Sequence, residues 1–213
     1  MELIDYLIKE GWLKTPSIIK AFQQIKRQDF LLEDLKDLAE LNEALPIGKN
    51  QTISQPLVVA FMLEELQPNK GEKILDVGSG SGWTTALLAE IVGSQGKIIA
   101  LETIPELVEF GKQNVAKYIF IKKGIVNLIY ADGSKGYIGR APFDKILASA
   151  AVQGKIPQAW REQLKTGGRI VAPVGSSIWL LIKKSEGDEA VASSSLFQET
   201  EYPGFAFVPL VEK

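Results

Sequence analysis

Lys73-Ile74-Leu75-Asp76-Val77-Gly78-Ser79-Gly80-Ser81-Gly82-Trp83 is the stretch on which the reading of this chain turns. Ile74, Leu75 and Val77 make an apolar run of strand length, and an apolar segment of helix length follows over about 83–91. Between them lie three glycines at alternate positions. Glycine lets a backbone turn tightly and approach a ligand more closely than a Cβ would allow. The free amides of such a turn, with the N-terminus of the next helix, favour a polar or negatively charged group. Strand, glycine turn and helix in this order open a βα unit whose ligand sits at the strand's carboxyl end.

Outward from this unit the same alternation continues. Lys97–Glu102 reads as a strand, Pro105 starts a helix to about 117, and Val126–Ala131 and Phe143–Ala148 read as further strands. Pro157 begins a helix expected to end at Gly167-Gly168, with a strand at Arg169–Val174. Repeated βα alternation predicts an α/β fold with a mostly parallel sheet and helices on both faces. The end differs: Ile178–Lys184, Ala190–Glu199 and Phe205–Val211 read as successive strands, predicting an antiparallel C-terminal edge. Upstream, Leu3, Ile4, Leu7 and Ile8 share one helical face, and Ile18, Ile19, Phe22 and Ile25 repeat the pattern after Pro16. A small helical N-terminal extension is therefore expected, then a loop over 45–50 and a helix opened by Pro56 and closed by Pro68 and Gly71. The chain divides as 1–54, extension and loop, and 55–213, α/β core, within a single domain of 213 residues.

Composition narrows the chemistry. With no Cys and no His, thiol nucleophiles, disulfides, Cys/His zinc sites and imidazole triads are excluded. A net charge of −2 offers no global field for nucleic acid, so no nucleic-acid partner is expected. No apolar run is long enough to span a membrane, and Met1–Glu10 is amphipathic rather than signal-like, so a cytoplasmic protein is expected.

The spacing Gly78-x-Gly80-x-Gly82 departs from a dinucleotide fingerprint, whose third glycine would fall at Trp83. Asp76 beside a pyrophosphate would also repel it, whereas an acid can attract an ammonium group. An aminoacyl nucleoside without phosphates suits the turn better, and S-adenosylmethionine is the candidate cofactor. Glu102, ending the second strand, can accept hydrogen bonds from two ribose hydroxyls, which by itself does not separate this cofactor from NAD. Asp132, in Ala131-Asp132-Gly133, can accept from an adenine amino group, or simply cap an Asp-Gly turn.

The chain resembles class I S-adenosylmethionine-dependent methyltransferases and, more narrowly, the protein-L-isoaspartate O-methyltransferase family. The likeness is carried by Leu45-Pro46-Ile47-Gly48, Gln51-Thr52-Ile53-Ser54-Gln55-Pro56, Leu75–Gly82, Asp132-Gly133, Ala141-Pro142-Phe143-Asp144, Gln163–Arg169, Pro173-Val174-Gly175 and Phe207-Val208-Pro209-Leu210. It implies a Rossmann-like core and an enzyme that methylates the free carboxylate of isoaspartyl residues in damaged peptides and proteins, for their repair, leaving S-adenosylhomocysteine. It further implies Ser54 as the active-site serine and Thr52 and Ile53 as part of a loop closing over cofactor and substrate. Asp76, Gly78, Gly80, Glu102, Asp132 and Gly133 match cofactor positions, and Ser149, Ala150, Ala151 and Val208 match the peptide site. The family's pattern departs here at Asn50, usually glycine, at Ala131, and in a segment Val152–Ile156 one residue longer than usual. Read locally, Ser54 before Pro56 could instead be a helix N-cap. Other acceptors for the same cofactor, a nicotinamide oxidoreductase and a non-catalytic binding module are the competing readings.

Overall fold

The computed structural model describes residues 2–185 and 196–211. Its elements in chain order are α1 (Leu3–Lys9), α2 (Pro16–Gln24), β1 (Leu45–Gly48), β2 (Gln51–Ile53), α3 (Pro56–Leu66), β3 (Lys73–Val77), α4 (Trp83–Val92), β4 (Lys97–Glu102), α5 (Pro105–Ala116), β5 (Val126–Tyr130), β6 (Phe143–Ala148), α6 (Gln158–Gln163), β7 (Leu164–Val174), β8 (Ser177–Lys183) and β9 (Phe197–Pro203). Pro16, Pro56 and Pro105 each occupy a first helical position, where the missing N–H costs nothing.

Seven strands form one sheet in the order β5-β4-β3-β6-β7-β8-β9. The pairings from β5 through β7 are parallel, and β8 and β9 are added antiparallel. Strands β3 and β4 are buried along nearly their whole length, because both faces of the sheet are covered. Ile74, Ile98, Ala100, Leu128 and Leu147 pack with α1–α5. Leu75, Val77, Ile99, Leu101 and Ile146 pack on the opposite face around Trp160 of α6. Helices thus lie on both faces, though unequally. The chain runs from β3 outward to β4 and β5, then returns across β3 to β6. That reversal puts the topological switch point at the carboxyl ends of β3 and β6, where such sheets bind ligands.

Four expectations are corrected. Residues 45–53 form an antiparallel hairpin of β1 and β2, not an open loop. Its turn has Lys49 at φ 55° and Asn50 at φ 56°, the paired left-handed geometry of a tight hairpin. Asparagine tolerates that region better than most residues, which accounts for Asn50 standing in a position that suits glycine. Helix α6 ends at Gln163, because Leu164 already pairs with Phe143 of β6 and the Lys165–Gly168 stretch is taken up by an irregularity in register. Phe205–Val211 is not a strand along the sheet edge. It crosses the strand ends, held by Ala151 N–H to the Val208 carbonyl (2.8 Å) and Leu210 N–H to the Ala151 carbonyl (2.7 Å). The strand expected over Ala190–Glu199 begins at Phe197 and runs on to Pro203, and residues 190–195 lie outside the described residues.

Candidate active site

Two clefts meet at the carboxyl end of the sheet. The first, roughly 710 Å³ including space open to solvent, is walled by Gly78–Ser81, the start of α4 at Trp83 and Thr84, Leu101–Ile104, Ala131, Gly133 and the hairpin. The second runs from Ala44, Leu57 and Val58 to Gly204–Pro209, and none of its lining residues is charged. Thr52, Ser54, Ser149, Val208 and Pro209 line both.

Close backbone packing shapes the first cleft. A Cβ on Gly82 would lie 2.7 Å from Val115 Cγ2 of α5, and Gly82 has φ 85°, so only glycine lets α5 abut the turn. From α5, Asn114 Nδ2 donates to the Ser81 carbonyl at 3.1 Å. A Cβ on Gly80 would come 3.2 Å from Ile47 Cδ1, so the hairpin closes down onto the glycines. Lys49 Nζ at the hairpin tip reaches Glu106 Oε1 on α5 at 2.6 Å, bridging the mouth.

The three acids singled out in the sequence have different surroundings. Glu102 lines the cleft; its Oε2 accepts from Gly80 N–H (2.9 Å), and its Oε1 accepts from the N–H groups of Thr103 (2.8 Å) and Ile104 (3.0 Å). A carboxylate has about four acceptor sites, so these bonds leave capacity on Oε2 for one further donor rather than two. Asp76 is 0% exposed and does not line either cleft. It points into the α4 side, where Thr85 Oγ1 donates to its Oδ2 at 2.5 Å. Burial raises its pKa to about 6, with the Thr85 hydrogen bond opposing and the Glu102 charge adding to the rise. The acid expected from sequence to attract an ammonium group thus lies beneath the turn, with its Oδ1 buried and without a hydrogen-bond partner. Asp132 also turns away: its Oδ1 accepts from Ser134 N–H and Oγ, and its Oδ2 pairs with Lys135 at 2.9 Å. Its neighbours Ala131 and Gly133 line the cleft in its place.

Ser54 is half-buried at the junction of the two clefts. Gln55, not Ser54, is the N-cap of α3, and no side chain caps that helix, so the capping role weighed for Ser54 is not the one it has. Ser149 and Ala150 follow β6 into the first cleft, while Ala151 contributes its backbone to the tie with Val208 and Leu210. The long segment Val152–Ile156 lines neither cleft; Val152 pairs with Val174 on the far side.

Several supporting residues were invisible in the sequence. Trp160 Nε1 donates to the Gly133 carbonyl at 2.8 Å, and Gln163 accepts from Tyr137 N–H and donates to the Lys135 carbonyl. Together they hold the loop after β5 from below. Thr85, Asn114 and Arg27 are likewise buried polar residues that local pattern reads as ordinary helix or turn positions. An aromatic in a short helix before Gly167-Gly168 was the only available signal for Trp160.

The family model of protein-L-isoaspartate(D-aspartate) O-methyltransferase matches residues 1–213. The chain belongs to that family. A protein-L-isoaspartate O-methyltransferase of Methanopyrus kandleri is 38% identical over 213 residues, covering 98% of this chain and 89% of the relative. One from Thermococcus onnurineus is 38% identical, covering 98% and 91%. Among solved structures, a beta-aspartate methyltransferase from Plasmodium falciparum in complex with S-adenosyl-L-homocysteine has the same fold, with TM-score 0.85 and 20% identity over 99% of this chain and 97% of that one. A second, a protein-L-isoaspartate O-methyltransferase, gives TM-score 0.82 and 26% identity over 97% of this chain and 64% of that one. This member of the family is an S-adenosylmethionine-dependent methyltransferase, and the cleft suits its cofactor: a glycine turn whose spacing departs from the dinucleotide fingerprint, a helix N-terminus and a carboxylate with one acceptor site left. No helix among the described residues is long and apolar enough to cross a membrane.

Proposed function

We infer that residues 1–213 act as one methyltransferase domain that transfers the methyl group of S-adenosylmethionine to the free carboxylate of isoaspartyl residues in damaged proteins and peptides, in the cytoplasm and without nucleic acid. The observation that carries this reading is the shared wall of the two clefts, where Ser54 stands between the cleft walled by the glycine turn and an uncharged groove open to a peptide.

In this reading Gly78, Gly80 and the first turn of α4 hold the aminoacyl end of the cofactor. Glu102 takes one ribose hydroxyl, Gly133 backs the adenine, and Thr52 and Ile53 close from above. Asp132 acts through the loop its carboxylate ties down at Ser134, and Asp76 acts from beneath the glycine turn, where Thr85 holds one of its oxygens. When bound, S-adenosylmethionine supplies a methyl group that is already electrophilic. An acceptor carboxyl with pKa about 3.9 is ionised at neutral pH, so no general base is needed. A chain without His or Cys is therefore sufficient. Ser54 donates its hydroxyl to one acceptor oxygen and fixes the other in line, while Ser149 and Val208 bound the acceptor from the opposite wall. Alignment of this kind can be worth about 7–11 kcal/mol. Apolar walls strengthen the attraction between sulfonium and carboxylate by excluding water.

Single-turnover transfer of labelled methyl to an isoaspartyl peptide tests the serine's role. Ser54→Ala should slow transfer by about 10–100-fold, the scale of one lost charge-assisted hydrogen bond, with cofactor affinity unchanged. Equal rates would remove Ser54 from the reaction. Cofactor binding with no transfer to the peptide by wild type would point to another carboxylate or small-molecule acceptor.

A further inference from the structure

Arg27 begins the 3-10 turn Arg27–Phe30 after α2 and is only 6% exposed. In sequence it sits in a charged stretch, Lys26-Arg27-Gln28-Asp29, that reads as surface. Burial lowers its pKa to about 10, partly offset by the Glu40 charge, so it remains a cation at neutral pH. Among the described residues it forms no ion pair. Its guanidinium instead spends its donors on main-chain carbonyls: Nη1 on Ala39 (3.1 Å) and Leu41 (2.9 Å), Nη2 on Glu43 (2.6 Å) and Ser54 (3.3 Å). Its Cζ lies 5.5 Å from the ring centroid of Trp83, the residue that follows the glycine turn.

A buried cation without a carboxylate partner is costly to keep. What this one joins are three segments far apart in sequence: the approach to β1, the serine at the junction of the clefts, and the base of the cofactor turn. The approach segment has its own tie to α3, since Asn42 Oδ1 accepts from Leu57 N–H (3.0 Å) and its carbonyl accepts from Gln55 Nε2 (2.9 Å). Arg27 adds three ties to the same segment and one to Ser54. Arg27 also reaches both the Ser54 carbonyl and the Trp83 ring.

We propose that Arg27 is a positioning residue for methyl transfer: one arm of its guanidinium binds the Ser54 carbonyl while its Cζ lies over the Trp83 ring, setting the spacing between the acceptor serine and the cofactor turn. The proposal rests on the reading of Ser54 given above. In-line transfer is sensitive to such spacing, since a misplacement of about 1 Å can cost on the order of a hundredfold in rate. A lysine cannot substitute, because an ammonium group has three tetrahedral donors and no planar face to lay on an indole.

The test is single-turnover transfer to an isoaspartyl peptide by wild type, Arg27→Lys and Arg27→Gln. Leu7→Ala, a core cavity in α1, serves as a destabilised control away from the clefts. All are compared at a temperature where circular dichroism shows each to be folded. Arg27→Lys should lose at least about tenfold in the transfer rate, with S-adenosylhomocysteine affinity and peptide KM within about threefold of wild type, and Leu7→Ala should keep the wild-type rate. Should Arg27→Lys not fold, Arg27→Gln, which keeps two donors without the buried charge, gives the same reading. A folded Arg27 variant transferring at the wild-type rate, or slowed no more than Leu7→Ala, would overturn the proposal. Failure of wild type to methylate the isoaspartyl peptide would be a separate result, striking the Ser54 reading itself.

Discussion

Asp76 is wholly enclosed, and its carboxyl titrates near 6 rather than 3.8 because burial penalises the charge more than the Thr85 hydroxyl relieves it. A folded-state value above the unfolded one means that this group's contribution is fully present below about pH 4 and is lost as pH rises through 6. The difference corresponds to about 3 kcal/mol over that window. Asp76→Asn removes the titration. The unfolding free energy of the variant relative to wild type, both without cofactor, should therefore rise by about that amount between pH 4 and pH 7. Denaturant titrations at the two pH values would show it, and a difference that stays constant would refute the assignment. Glu102 makes a contrasting prediction. Its oxygens organise Gly80, Thr103 and Ile104 and leave one acceptor site toward the cleft. Glu102→Gln turns an acceptor into a donor there, and S-adenosylhomocysteine binding should weaken by at least about tenfold, the cost of an unpaired buried polar group. Calorimetry giving wild-type affinity would contradict this role.

At the scale of elements, the loop after β5 owes its place to α6. Trp160→Phe keeps most of the buried surface but removes the indole donor from the Gly133 carbonyl, which keeps its bond from the Gly136 N–H (3.0 Å). We expect a loss of about 0.5–1.5 kcal/mol in stability, the net worth of one hydrogen bond, together with weaker cofactor binding; a variant with wild-type stability and affinity would show that Gly133 is held without Trp160. The β1–β2 hairpin depends on left-handed geometry at Lys49 and Asn50. Asn50→Gly should be neutral or slightly stabilising. Asn50→Val should cost about 1–2 kcal/mol and loosen the hairpin's closure over the glycines, read as a lower Tm and a weaker cofactor affinity. Legibility from sequence followed the same physics. Strands β3, β4 and β6 are buried on both faces and read as short, mostly apolar segments, and the prolines and glycines marked where helices begin and turns fall. The end of α6 was misread because its boundary is decided by pairing of Leu164 with Phe143, a contact 21 residues away in sequence. The crossing segment 205–211 has an extended, apolar pattern like a strand, yet its partners are the ends of the sheet. Gly78 and Gly80 stood out from the turn and Glu102 from its place at the end of a strand, whereas Ser54 needed the wider motif, and the burial of Arg27 left no local trace at all.

For the whole molecule, the seven-stranded sheet supplies a rigid base, while the hairpin and the crossing segment are pinned over it by few contacts. Cofactor binding to the folded chain should stabilise it by mass action. S-adenosylhomocysteine at a hundred times its Kd is worth about 2.7 kcal/mol, or roughly 5–10 °C in Tm for a chain of this size. Amide exchange across 45–53 should slow more than in β7 or β8, because that hairpin closes on the ligand. No change in Tm would mean that the cleft does not hold this cofactor.

The central claim is the acceptor, and the most direct measurement uses two peptides of one sequence, differing only in whether one residue is linked as isoaspartate or as normal aspartate. Labelled methyl transferred from S-adenosylmethionine by the wild-type enzyme should appear as an ester on the isoaspartyl peptide and be absent from its aspartyl twin. Equal labelling of both peptides, or of neither while the cofactor binds, would contradict the account.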